Sequence, residues 1–452
     1  MTALPVSSTE REGRVTVGAR LREIRRGFER PFWVANISEI FERLSYYAVF
    51  AALVRYLHEA LQFPTAQASS LGGIFGGAVW VMAIFGGALA DRIGFRRALS
   101  LAYFILSCSY FLVGSIGAPW LAPVRSVVPL GLLVAIILFL PALGVAMVKP
   151  SVVGTTARAS QENVRSIGYS IYYTMVNIGS TLGPFLAGWV HHHMRVENVF
   201  RLAALSVFVM FVAVLIFFRE PGSPARAGVA RDSVEEPRRA ANQPPLTLAQ
   251  VGRNFLTVLG SGRFVLFLLI FSGYWIVFWQ QYLILPVFIH DYVDATANTE
   301  MILITDPLVV ITLTVAINAV TRRIPAFRAI TVGTLITAVG WLFLAVRPSV
   351  AAAVLALIVV ALGEIVQSPR YYEYISRLAP ADQQGTYMGF AFLPIGIGSL
   401  VGGWFSGALM HHYGEVVRQP QRIWWVVTGV GVLTAVLLWA YDRLLLGSSR
   451  AN

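Results

Sequence analysis

Apolar residues run along this chain in long blocks, and polar residues gather between them. The blocks lie at approximately 32–61, 66–90, 98–118, 127–153, 167–192, 199–218, 264–289, 301–320, 329–346, 350–378, 385–412 and 423–445. A helix rises 1.5 Å per residue, so each block is about long enough to cross a ~30 Å hydrocarbon layer. Backbone groups inside lipid must pair within their own segment, so each block predicts a helix. The pattern predicts an all-α membrane protein with twelve transmembrane helices. One longer polar interval, 219–246, is rich in Pro, Ala and Arg and reads as a disordered linker. Residues 247–262 after it fit a short helix lying on the membrane surface. The chain thus divides into a tail (1–31), a six-helix bundle (32–218), a linker (219–262) and a second six-helix bundle (263–446).

The halves repeat. At an offset of 219, Arg158, Ile178, Gly179, Ser180, Gly183, Gly188, His192 and His193 match Arg377, Ile397, Gly398, Ser399, Gly402, Gly407, His411 and His412. Pro150 matches Pro369 in the same register. Two similar bundles can enclose a site at the membrane midplane and open to either side, which is the design of a rocking transporter.

Composition narrows the class further. The chain has 452 residues, 56% of them hydrophobic and only 13% charged; soluble domains carry about 25% charge. Its net charge of +12 would suggest nucleic acid in a soluble protein, but the basic residues are sorted by loop. With the N-terminus inside, twenty-five face the cytoplasm and seven, including Arg55 and Arg422, face outward. This satisfies the positive-inside rule, places both termini in the cytoplasm and removes the need for a nucleic-acid partner. The first 31 residues lack the apolar core of a cleavable signal peptide. A single cysteine, Cys108, excludes an intrachain disulfide.

Three basic residues remain inside predicted helices: Arg43, Lys149 and Arg370. In the first helix Glu39, Glu42, Arg43 and Tyr46 share one face by i, i+3, i+4, i+7 spacing. Ionisable groups inside an apolar span are costly unless paired, so they point to function first and to a helix-tying ion pair second. Lys149 is the only lysine among 35 basic residues. Lysine can give up its proton when buried and arginine effectively cannot, so this position suggests titration or a compact ammonium donor; snorkelling to the surface is the plainer alternative. The helices hold no nucleophile–base pair and no metal-ligand cluster; His191, His192, His193, His411 and His412 lie at outer helix ends with no acid or Cys cluster accompanying them. No enzyme, metal or cofactor is expected. Trp33, Trp120, Trp424 and Trp425 read as interfacial anchors. Phe75, Trp80, Trp275, Trp279 and Trp404 either line a cavity or pack between helices.

The segment Gly86-Gly87-Ala-Leu-Ala-Asp91-Arg92-Ile-Gly94-Phe-Arg96-Arg97, between the second and third predicted helices, resembles the loop signature of the major facilitator superfamily. Gly87, Asp91, Arg92 and Arg96 would then form a conformational latch. Further motifs resemble the proton-dependent oligopeptide transporter family across nearly all of both halves. Glu39-x-x-Glu42-Arg43-x-x-Tyr46-Tyr47 matches its first-helix motif, Lys149-Pro150 its helix-4 pair, and Tyr172-Tyr173-Thr-Met-Val-Asn177-Ile-Gly179 its helix-5 signature. Glu364, with Ser368-Pro369 and Leu378-Ala379-Pro380, matches its helix-10 pattern. The resemblance implies a proton symporter for di- and tripeptides in a bacterial inner membrane, and a monomer is expected. It implies that Arg43, Tyr47 and Lys149 hold the peptide carboxylate, that Asn177 and Glu364 hold the amino group, and that Glu39, Glu42, Arg43 and Lys149 carry proton coupling. Trp279, Gln280 and Asp306 join the substrate-binding set. A facilitator of another small molecule, such as an anionic metabolite or an exported drug, is the alternative.

Three departures from that family stand out. Phe50 replaces an arginine one turn after the paired tyrosines, and Trp279 replaces an acid on the seventh helix. Asp306-Pro307 replaces Asn-Pro on the eighth. Arg370 and Glu373 are i, i+3 neighbours on the tenth helix, so an extra ion pair is expected there, with Asp306 pairing to Arg370 or providing a new proton site.

Overall fold

The computed structural model describes residues 27–161, 164–221, 253, 256–321, 323–378, 387 and 389–446. Twelve long helical rods cover most of them. The first half holds α1 (Arg30–Arg55), α2 (Thr65–Ile93), α3 (Phe95–Val113), α4 (Leu130–Arg158), α5 (Arg165–His193) and α6 (Glu197–Phe217). The second holds α7 (Gly262–Phe278), α8 (Thr305–Thr321), α9 (Ala326–Gly340), α10 (Val350–Leu378), α11 (Leu393–Leu409) and α12 (Arg422–Tyr441). Below, the end where α1 begins and α12 finishes is the base, and the opposite end is the mouth.

Nine of the twelve, all except α1, α2 and α5, are long and apolar enough by themselves to cross a membrane. The exceptions α1 and α5 carry the polar motifs read from the sequence. Large apolar side chains such as Phe104, Leu132, Phe208, Leu269 and Val315 stay exposed around the outside. In a water-soluble protein such a surface would aggregate; here lipid is its solvent.

Several rods are broken where the sequence interrupts backbone pairing. Beyond Phe278, α7 continues as Gln280–Leu283 and Leu285–Tyr292, the last piece opening with Pro286 in its first turn. A short helix, Thr299–Leu303, leads into α8; it is capped by Asn298, whose side chain accepts the amide of Met301 at 3.1 Å. Pro307 follows at the start of α8 and lacks an amide hydrogen. Asp306 therefore sits in the first turn of α8, where the helix dipole favours an anion.

The repeat read from the sequence is visible as packing. A Cβ placed on Gly179 of α5 would lie 2.6 Å from the carbonyl oxygen of Ile40 on α1. Its partner in the repeat, Gly398 of α11, faces Trp275 of α7, whose carbonyl carbon would lie 2.8 Å away. Only glycine lets these backbones approach so closely. The same device joins the bundles: a Cβ on Gly73 of α2 would lie 2.7 Å from the Cα of Gly403 on α11. At the base, Glu29 donates its amide to Ala159 at 2.9 Å and ties the start of α1 to the end of α4. Most of the linker, 219–262, lies outside the described residues, as do residues 1–26.

Trp33, Trp120 and Trp425 are exposed near helix ends as expected, but Trp424 is not an anchor. It is fully buried and stacks on Trp341 with ring centroids 4.8 Å apart. Trp404, a candidate cavity residue, instead lies exposed on the outside of α11.

Candidate functional site

On α1 the spacing places Glu39, Glu42 and Arg43 together, and all three are at most 2% exposed. Arg43 Nε donates to Glu42 Oε2 at 2.5 Å and lies 3.5 Å from Glu39 Oε1. Two carboxylates thus share one edge of one guanidinium. Arg43 Nη2 and Glu42 Oε1 make no hydrogen bond among the described residues. An unmet donor in a low-dielectric interior costs roughly 1–3 kcal/mol, so this donor is a strong receptor for an anion. The guanidinium also lies 5.1 Å from the centre of the Tyr46 ring.

Lys149 of α4 faces the same cluster and has Glu39, Glu42 and Arg43 as its electrostatic neighbours. Its ammonium lies 4.4 Å from the ring centre of Trp80 on α2 and 5.4 Å from that of Phe392, just before α11. The two rings stack at 5.7 Å. Lys149 is therefore held inward by aromatic faces of both bundles and does not snorkel.

The second bundle presents Glu364 on α10 and Asp306 on α8. Asp306 is 5% exposed, and the two carboxylates are electrostatic neighbours. Asp306 Oδ1 makes no hydrogen bond among the described residues. Tyr47 of α1 reaches the second half, its ring centroid 6.5 Å from that of Tyr282, and its electrostatic neighbours are Arg43 and Glu42 of the first bundle and Glu364 and Asp306 of the second. Asn177 of α5 donates to the carbonyl of Tyr173 at 2.8 Å, and Tyr173 also neighbours Glu364 and Asp306.

Other expected residues are placed elsewhere. Gln280 is fully buried, donates to Ile276 O at 2.5 Å and accepts from Ser406 Oγ at 2.6 Å, so α11 occupies its side chain. Trp279 donates to Ile395 O at 3.1 Å and meets Phe50 with ring centroids 5.0 Å apart. The two residues that depart from the family pattern are thus in contact, as part of an aromatic layer with Tyr282, Phe75 and Tyr46. Arg370 does pair with Glu373, at 2.6 Å, but not with Asp306. Its Nη2 donates to Thr321 O at 3.0 Å, at the far end of α8. Fifteen residues of helix, roughly 22 Å, separate Thr321 from Asp306.

At the loop signature, Arg96 donates to Leu215 O at 2.8 Å, and its own amide is capped by Glu220 at 2.8 Å. Arg92 is exposed. These contacts bind α3 to α6 within one bundle. Gly87 and Asp91 lie in α2; the side chain of Asp91 is outside the described residues.

One group of residues went unread in the sequence: an ionic latch at the mouth. Glu300 is fully buried, with Arg55 Nη1 at 3.6 Å from one oxygen and His191 Nδ1 at 3.0 Å from the other. Arg55 also pairs with Glu59 at 2.6 Å. Close by, His58 lies 3.7 Å from Asp291, and His290 lies 3.6 Å from Glu59. The ends of α1 and α5 are so joined to the mouth ends of α7 and α8. Asn298 adds a neutral link by donating to Gly188 O at 3.0 Å. The available signal was an acid, Glu300, at the edge of the apolar block 301–320.

Paired six-helix bundles with buried charge between them define a multi-pass membrane transporter rather than an enzyme. The family model of the Major Facilitator Superfamily matches residues 36–393, and the chain belongs to that superfamily. Among curated relatives, the Multidrug resistance protein MdtH of Klebsiella pneumoniae is 23% identical over 359 residues, covering 79% of this chain and 81% of its own. That of Salmonella newport is 21% identical over 364 residues, covering 80% and 82%. Among solved structures, a POT family transporter in complex with 5-aminolevulinic acid matches with a TM-score of 0.73 at 18% identity, covering 91% of this chain and 96% of that one. A peptide transporter POT in complex with sulfate matches with a TM-score of 0.71 at 18% identity, covering 93% and 98%.

Proposed function

We propose that this transporter is a proton-coupled symporter that imports di- and tripeptides or peptide-like small molecules. The observation that carries this reading is the position of Tyr47, whose electrostatic neighbours are Arg43 and Glu42 of the first bundle and Glu364 and Asp306 of the second. A zwitterionic substrate needs a cationic receptor and an anionic receptor facing each other across one site. In this reading Arg43 and Lys149 take the carboxylate, Glu364 and Asn177 take the ammonium, and Tyr47 lies along the connection. A proton arriving at Glu39 or Glu42 weakens the hold of that carboxylate on Arg43 and frees the guanidinium for substrate. The bundles then rock, and the proton leaves on the other side. The mouth faces outward, the base faces the cytoplasm, and the membrane is a bacterial inner membrane, in keeping with the arginine distribution. Closing the Arg55–Glu300–His191 latch seals the mouth. The membrane potential contributes ~2.3 kcal/mol per charge per 100 mV to inward proton movement.

A second reading, transport of a non-peptide small molecule, is favoured by the curated relatives, which are named for multidrug resistance. A thermal-shift screen of the purified protein against di- and tripeptides and drug-like cations separates the two. The peptide reading expects stabilisation by several peptides and competition among them for labelled uptake. Stabilisation by non-peptides alone would overturn it.

A further inference from the structure

The charged groups between the bundles do not balance. Glu39 and Glu42 have Arg43 and Lys149 as electrostatic neighbours. For Asp306 and Glu364, the electrostatic neighbours among the described residues include no basic group. The nearest basic side chain along α10, Arg370, is taken by Glu373 and Thr321 O at the base. Two neighbouring carboxylates with no basic neighbour among the described residues are unfavourable in a low-dielectric site unless a proton or a cation relieves them.

The surroundings of the pair suit a cation. Gln281 is the polar neighbour of Asp306; it is fully buried, and neither its Oε1 nor its Nε2 has a hydrogen-bond partner among the described residues. Asp306 is itself 95% buried, being 5% exposed, with Oδ1 unpartnered. Tyr47, Tyr173, Tyr274 and Tyr282 each have both Asp306 and Glu364 as electrostatic neighbours. Aromatic faces attract ammonium and guanidinium groups without requiring a fixed hydrogen-bond geometry.

We infer that Asp306, Glu364 and Gln281 form a subsite for a second positive charge, so that the transporter selects substrates carrying two cationic groups at one end, such as a peptide with a basic first residue. This rests on the peptide-like reading of the same site. Glu364 takes the ammonium common to all such substrates, and Asp306 takes the additional one. A singly charged substrate leaves one carboxylate uncompensated and binds less tightly.

The test is isothermal titration of purified full-length protein with Lys-Ala and Ala-Ala, and separately with 1,4-diaminobutane and butylamine. The expected result is that Lys-Ala binds at least ~10-fold more tightly than Ala-Ala, a difference set by one desolvated charge contact. In Asp306→Asn, which keeps the side-chain shape, this preference falls to about 2-fold or less, and Asp306→Glu restores part of it. Equal affinity for both peptides in the wild type, or an equal loss for both in Asp306→Asn, would overturn the inference. If neither peptide binds, the peptide reading fails. The subsite then still stands if diaminobutane is preferred to butylamine in an Asp306-dependent way, and falls if it is not.

Discussion

The two bundles are built on one repeat, yet they treat buried charge differently. In the first, two acids face two bases, and Arg43 touches both acids. In the second, Asp306 and Glu364 are electrostatic neighbours with no basic one among the described residues. A self-balanced cluster can hold its charges in an empty site and can release one when a proton arrives. An unbalanced pair is relieved by a proton or by a cation that the substrate brings. In the proposed symport, the first bundle would carry the proton and the second would recognise the cationic end of the substrate.

The largest predicted effect comes from unbalancing the first bundle. Arg43→Ala leaves two buried acids unpaired; uptake should be abolished and stability should drop by ~3–5 kcal/mol, measured by thermal unfolding in detergent. Adding Glu42→Gln should recover part of the stability but no uptake. Next, Glu364→Gln should raise the KM for ammonium-bearing substrates at least ~10-fold in labelled-peptide uptake, because it removes the anchor shared by all of them. Lys149→Arg keeps the charge but not the capacity to release a proton. It should lower accumulation against a gradient about 10-fold in proteoliposomes, corresponding to ~1.4 kcal/mol of lost coupling. The mouth tests whether the contrast depends on state. Glu300→Gln should shift the population toward an open mouth by about 5-fold, roughly 1 kcal/mol, read as longer distances between spin labels at His193 and Asp294. The smallest effect is expected for Arg370→Ala: its pair with Glu373 is partly solvated and far from the site, so uptake should change less than about 2-fold.

How much of this was legible in the sequence depended on whether a residue's meaning is local. The twelve helices follow from block length, and the Glu39–Glu42–Arg43 group follows from spacing on one helix. Asp306 stood out as a departure, but its surroundings did not. Sequence offered it either a pair with Arg370 or a role as a proton site; in the fold, Arg370 reaches the last turn of α8 and Asp306 occupies the first. The mouth latch joins Arg55 to Glu300 across 245 positions, and no local pattern encodes that contact. Trp424 has the flanking position of an interfacial anchor, yet stacking on Trp341 buries it, and that too is a tertiary fact. Phe50 and Trp279 were both read as replacements, and in the fold their rings are in direct contact.

The central claim is that substrate entry carries protons through the Arg43 cluster. Proteoliposomes loaded with a pH-sensitive dye, with equal pH on both sides, test it directly on addition of an external dipeptide. The account predicts acidification of the interior in step with uptake of labelled peptide by the wild type, and none in Lys149→Ala. Labelled peptide entering the wild-type vesicles while the internal pH stays constant would contradict it.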